Sequence, residues 1–158
     1  MKISVLGCGR WGTFIAWYLN KVRHEVILWG RQSSKNLENL KNLRRNDFLE
    51  IGDEISVTSD IDLAVNISDV IVISISAQSL RSFLNDIKPK IKNLENKIFV
   101  LCMKGIEENT GKRLSVVLKE CLGQNAKVAV WVGPGHVQDF IKGIPNCMVM
   151  DSDDEYIK

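Results

Sequence analysis

The 158-residue sequence predicts an α/β fold, a doubly wound, mostly parallel sheet with helices on both faces. Three observations carry the prediction. Short β-branched runs alternate with longer amphipathic segments along the whole chain. The run DVIVISIS at 69–76 is almost continuously apolar, as a central parallel strand must be when both faces are covered. The stretch VLGCGRWGTFIAWYL at 5–19 passes from a strand through three closely spaced glycines into a helical apolar pattern.

In chain order, residues 3–6 form a first strand and 10–21 a helix. Residues 24–29 form a second strand, ending at the breaker Gly30. Leucines at 37, 40 and 43 repeat at helical spacing, which places a helix over 33–45. A short strand follows at 55–58, and Asp60 is suited to cap a brief helix. After the strand at 69–76, residues 80–91 read as a helix broken at Pro89, and 97–103 as another buried strand. A helix over 110–122 is stopped by Gly123, and strands follow at 128–132 and 146–150. No internal repeat or linker interrupts the pattern. Residues 1–150 therefore read as one domain, with 151–158 as an acidic tail.

Composition narrows the function classes. With 45% hydrophobic residues the chain can bury a real core, and its net charge of +2 lacks the clustered basic excess of a nucleic-acid binder. Small basic bunches at 41–45 and 88–92 read as solvated surface. No apolar stretch is long enough to span a bilayer, and the early glycines and Arg10 interrupt any N-terminal leader pattern. The four cysteines are far apart and form no CxxC pair. A cytoplasmic protein without membrane insertion is expected.

GCGRWG fits GxGxxG at Gly7, Gly9 and Gly12, between a strand and a helix. In a dinucleotide site the first glycine permits the tight turn, and the second lets the backbone approach the pyrophosphate. The third lets helix and strand pack closely, with the helix amides facing the anion. Arg10 either reaches the pyrophosphate or is simply solvated. Such loops usually pair with an acid after the second strand that binds the ribose hydroxyls. Here the segment is HEVILWGR, with Gly30 in or beside that slot and Arg31 next. An acid would repel a 2′-phosphate while an arginine would pair with it, so NADP is favoured over NAD.

Ligands of open α/β sheets sit beyond the carboxyl ends of the strands, which directs attention to three further turns. SISAQSLRSF offers Ser76, Gln78 and Ser79, for cofactor contact or for helix capping. VLCMKGIEENTG sets Lys104 where an apolar strand gives way to a glycine turn. It aims a cation into the ligand crevice or, alternatively, out to solvent. VWVGPGHVQDF makes a rigid turn at Gly133, Pro134 and Gly135, leaving amides at a helix start as a second anion site. His136 there is either titratable or structural.

Together, GCGRWGT, HEVILWGR, KGIEENTG and GPGHVQDF followed by IPN occur in an order that resembles NAD(P)-dependent glycerol-3-phosphate dehydrogenase. The resemblance runs from Met1 to about Met150 and covers only that family's N-terminal, cofactor-binding domain, a Rossmann-like fold. It implies interconversion of dihydroxyacetone phosphate and sn-glycerol 3-phosphate, feeding phospholipid synthesis. Arg10 and Trp11 would touch the cofactor's phosphate region, Arg31 would flank the adenosine end, and Val137 would lie against the cofactor. Lys104 would be an auxiliary catalytic cation contacting nicotinamide and substrate, while Gly133 and Gly135 would help hold the small phosphorylated substrate.

Three residues depart from the family pattern, which usually has serine at Arg10, serine or threonine at Gly135 and alanine at Val137. The proline often found near Ser76 is also absent. The resemblance further implies a following helical substrate domain with the main catalytic lysine, and a homodimeric full-length enzyme. The 158 residues thus read as a fragment expected to bind cofactor without turnover. Two alternatives are a related two-domain dehydrogenase of another small hydroxy acid and a stand-alone dinucleotide-sensing domain.

Overall fold

A computed structural model describes residues 1–157. Seven strands form one sheet, β1 (Lys2–Leu6), β2 (Glu25–Trp29), β3 (Ser56–Thr58), β4 (Val70–Ile73), β5 (Ile98–Leu101), β6 (Lys127–Val132) and β7 (Val149–Ser152). Their spatial order is β3-β2-β1-β4-β5-β6-β7. The first six are parallel, and β7 joins β6 antiparallel with Val132 opposite Val149. The chain thus winds outward from β1 in both directions, and the crevice between β1 and β4 is the point where its direction reverses.

Among the described residues six helices cover the sheet, α1 (Arg10–Lys21), α2 (Lys35–Leu43), α3 (Ile61–Asn66), α4 (Leu80–Ile87), α5 (Leu114–Leu122) and α6 (Val137–Ile141). Because side chains alternate along a strand, the apolar runs feed two cores at once. Ile3, Val5, Val26, Leu28, Val72 and Val100 pack with α1 and α2 residues on one face. Leu6, Ile27, Ile71, Ile73, Phe99 and Leu101 pack with residues of α3, α4 and α5 on the other.

Ser4 is the buried polar residue of β1. Fully buried, its hydroxyl donates to the Ala64 carbonyl at 2.6 Å and to the Ser68 hydroxyl at 2.9 Å. Lys97, 5% exposed, donates from Nζ to the carbonyls of Ser68 at 2.6 Å and Asn66 at 3.2 Å, satisfying the C-terminal end of α3. Ser68 and Lys97 stand just before β4 and β5, so these groups close the amino-terminal rim of the sheet.

Several boundaries differ from expectation for identifiable reasons. The second helix spans Lys35–Leu43 rather than 33–45, because Ser34 caps its start and Arg44 leaves it in the left-handed region. The helix at 80–91 stops at Ile87, and Pro89 belongs to a 3₁₀ turn instead. The helix expected from Thr110 begins only at Leu114, since residues 106–113 close on themselves. Ile106 bridges Arg113, and the Glu107 amide donates to the Lys112 carbonyl at 2.9 Å. The last strand is Val149–Ser152 rather than 146–150, so Asp151 and Ser152 of the acidic stretch lie inside the sheet. Ser152, buried, donates to the Val128 carbonyl at 2.7 Å.

Candidate functional site

A cleft of about 670 Å³ runs along the carboxyl ends of β1, β2, β4, β5 and β6. Its floor is the turn between β1 and α1. Gly7 adopts φ +121°, and a side-chain carbon there would overlap the Ser74 carbonyl. A carbon on Gly12 would overlap the Gly7 carbonyl, so helix and strand are in backbone contact there. Gly9 is different. Its backbone is extended and a carbon placed on it would meet no protein atom within 4 Å. Nothing inside the protein requires glycine at that position, and Gly9 lines the cleft.

The N-terminus of α1 is likewise left for something else to satisfy. Gly9 provides no side-chain cap, and the first turn carries no acid. A backbone stripped of side chain beside an uncapped helix start suits an anionic group. These residues therefore fit a dinucleotide's pyrophosphate.

Arg10, Trp11, Arg31, Lys104, Gly133 and Gly135 all border the same cleft. Arg10 holds its guanidinium 4.4 Å above the Phe48 ring, which loops back from beyond α2. Trp11 packs on Phe14 and on Phe140 of α6, at 5.3 and 6.1 Å between ring centres. Gly12 sits beneath the cleft as the packing glycine. Val137 is buried, 3% exposed, in the core on the α1 face rather than on the cleft wall.

Gln78 departs from its expected place. The neighbouring Ser76, Ala77 and Ser79 line the cleft, but Gln78 spends its carboxamide elsewhere. Its Nε2 donates to the Ile106 carbonyl and its Oε1 accepts from the Glu108 amide, both at 2.9 Å. His136 is exposed and is not among the lining residues.

Two glycines owe their identity to neighbours that the sequence did not reveal. A side-chain carbon on Gly135 would overlap the Phe140 ring, itself stacked on Phe14 at 5.2 Å. Any side chain at this position would require the Phe140 ring to shift. A carbon on Gly133 would lie 2.6 Å from the Cys147 carbonyl oxygen, where the chain crosses back toward β7.

Sequence reasoning missed Cys8, Ser34, Cys102, Trp131 and Met148, which also line the cleft. Burial pushes the Cys102 thiol up to about 12, so it contributes apolar wall rather than a nucleophile.

A second hollow of about 610 Å³ opens on the α5 side and shares Met103, Lys104, Val132 and Gly133 with the first. Arg113 and Ser115 at the start of α5 face it, as do Asp151 and Asp153. Lys104 is thus the cation at the boundary between the two spaces. No cluster of metal-binding side chains occurs among the described residues, and no described helix is long and apolar enough to cross a membrane.

A mostly parallel sheet wound outward from β1, with a glycine turn and an uncapped helix at its switch point, defines a Rossmann-type dinucleotide-binding domain. Comparison with known proteins is more specific. The profile described as "NAD-dependent glycerol-3-phosphate dehydrogenase N-terminus" matches residues 2–157, and the chain belongs to that family. Among curated relatives it is similar to NAD(P)+ glycerol-3-phosphate dehydrogenases of Thermoanaerobacter sp. (strain X514), at 37% identity over 156 residues, and of Fusobacterium nucleatum, at 34% over 157. Each alignment covers 96% of this chain and 46% of the relative, so the chain spans just under half the length of these enzymes. Solved glycerol-3-phosphate dehydrogenases share the fold. Those of Plasmodium falciparum (TM-score 0.84, 22% identity) and Coxiella burnetii (TM-score 0.82, 20% identity) each match over 98% of this chain. They are covered to 46% and 47% of their own lengths, respectively.

Proposed function

We propose that this chain is the cofactor-binding part of an enzyme that interconverts dihydroxyacetone phosphate and sn-glycerol 3-phosphate with NAD(P)H, feeding phospholipid synthesis. The observation that carries the proposal is Lys104, standing where the dinucleotide cleft meets a second hollow. A cation at that boundary can face the nicotinamide end of one ligand and an oxygen of another.

A dinucleotide held in the cleft would supply hydride chemistry toward the substrate's carbonyl carbon. The chain's own residues bind and orient. Amides at the start of α1 hold the pyrophosphate, with Arg10 and Trp11 beside it, and Arg31 flanks the adenosine end. Lys104 stabilises negative charge on the substrate's carbonyl oxygen or phosphate. Gly133 and Gly135 offer backbone contact to the phosphate-bearing substrate. The proton and most of the phosphate site belong to a helical domain following this one.

NADP is preferred in this reading, because the slot after β2 holds Gly30 and Arg31 instead of an acid. The same reading places the full enzyme in the cytoplasm as a homodimer, acting on a small phosphorylated substrate and not on nucleic acid. Family membership supports the small phosphorylated substrate, and the near-balanced net charge of +2 supports the exclusion of nucleic acid.

Titration of the chain with NADPH and NADH, monitored by cofactor fluorescence, tests the binding half. Saturable binding with NADPH the tighter ligand is expected, together with no reduction of dihydroxyacetone phosphate by these residues alone. Turnover by the isolated chain would overturn the division of labour, and a clear preference for NADH would overturn the NADP assignment.

A further inference from the structure

We propose that Gln78, together with the Arg81–Glu107 ion pair, is the positioning element for Lys104. The inference rests on the dinucleotide reading above and deepens it, assigning to Gln78 a role through Lys104 rather than a ligand contact.

Lys104, Gly105 and Ile106 are all exposed, and Gly105 sits at φ +108°. By themselves these features describe a loose segment, unsuited to holding a cation at one place between two ligands. The residues that follow it are nevertheless fixed from two directions. Within the loop, the Glu107 amide donates to the Lys112 carbonyl at 2.9 Å and the Gly111 amide to the Glu107 carbonyl at 2.8 Å. From outside, Gln78 grips the backbone on both sides of Glu107 through its two bonds to Ile106 and Glu108.

A primary amide bonded this way imitates one rung of a strand ladder, since its donor and acceptor match a peptide's. Next to it, Arg81 donates from Nε and Nη2 to the two carboxylate oxygens of Glu107, at 2.7 and 2.8 Å. Arg81 also reaches Glu120 of α5 at 2.8 Å, so the clamp joins α4, the loop and α5. The forked pairing fixes orientation as well as distance.

Placement turns this clamp into more than loop stability. Gln78 lies in the 3₁₀ turn Ala77–Ser79, whose other two residues line the dinucleotide cleft. The turn after β4 and the loop after β5 are therefore locked together, and both border the same ligand. A dinucleotide seated against Ala77 and Ser79 meets Lys104 in a fixed relation to it. Gln78 is a positioning residue, and its effect on ligand binding passes through Lys104.

The test uses the 158-residue chain with Gln78→Ala, Glu107→Gln, Lys104→Met and the two double variants with Lys104→Met. Gln78 is exposed, so its replacement leaves the core intact. In the ligand-free chain, Gln78→Ala should raise amide exchange of residues 105–111 at least about tenfold while β4 and β5 amides stay unchanged. In NADPH titrations, Gln78→Ala and Glu107→Gln should each weaken binding about fivefold when Lys104 is present, and leave it unchanged in the Lys104→Met background. Unchanged exchange in the loop would overturn the proposal, and so would losses that persist without Lys104. Failure of the dinucleotide reading looks different: the unsubstituted chain would bind no NADPH, and the exchange measurement alone would then decide whether the clamp exists.

Discussion

Gly30 and Cys8 share one space: a side-chain carbon on Gly30 would overlap the Cys8 Sγ and lie 3.2 Å from both Cys8 Cβ and Leu37 Cδ1. The position in or beside the slot where dinucleotide-binding domains often carry a ribose-binding acid is therefore closed to a side chain by the residue between the first two glycines of the loop. Gly30→Asp alone should destabilise the chain by about 1–3 kcal/mol through overpacking. Pairing it with Cys8→Ala should recover most of that loss and move the cofactor preference toward NADH. Denaturant melts and parallel NADPH and NADH titrations check both parts. A single Gly30→Asp variant as stable as the parent would contradict the steric account.

The three loop glycines should separate by function. Gly7→Ala and Gly12→Ala drive a carbon into backbone carbonyls, at Ser74 and Gly7 respectively, and should each cost about 3 kcal/mol or more. Gly9→Ala meets only open space and should cost about 1 kcal/mol or less, the ordinary loss of glycine at a helix N-cap. Its main effect should fall on NADPH affinity. Thermal melts beside ligand titrations distinguish the two classes.

Removing the charge at residue 31 should change which dinucleotide binds best. Arg31→Ala should weaken NADPH about tenfold or more, the usual loss for a charge-assisted contact, and leave NADH nearly unaffected. Equal losses for the two cofactors would show that the guanidinium does not read the 2′-phosphate.

The Glu107 carboxylate should stay ionised far into acid. Its hydrogen bonds from Arg81 and Thr110 hold it at about 2, below its ordinary 4.5. A carboxylate depressed in the folded state contributes stability above its ordinary value and loses that contribution as pH falls toward about 2. Side-chain carboxyl NMR between pH 6 and 3.5 should show Glu107 unmoved while exposed carboxylates titrate. The amides of Glu107, Glu108 and Gly111, which the loop's hydrogen bonds hold, should keep their protection factors across the same interval. Titration of Glu107 near pH 4.5 would contradict the forked pairing with Arg81.

The glycine loop was legible in the sequence because each glycine answers a local demand of the strand–turn–helix path. Lys104 was legible because the end of an apolar run marks the rim of the sheet. What escaped depends on partners far along the chain. Gln78 looks like a cleft residue from its own neighbourhood, yet the groups that take its amide lie 28 and 30 residues ahead. The start of α5 was misplaced for a related reason, since Arg81 and Gln78 stabilise a closed loop at 106–113 over the helix that propensity suggests. Phe140, which a side chain at Gly135 would have to displace, and Phe48 beneath Arg10 follow the same rule. Each is an apolar residue whose contact is set by tertiary packing.

At the opposite rim, Ser4, Ser68 and Lys97 hold the strand beginnings in register through buried hydrogen bonds that touch no ligand-facing residue. The alignment of β1, β4 and β5 is thus specified independently of the loops that emerge from their far ends. Such a domain is a ready recipient for grafting: turns at the carboxyl rim can be lengthened, shortened or exchanged to accept a different ligand. The strands beneath them keep their places.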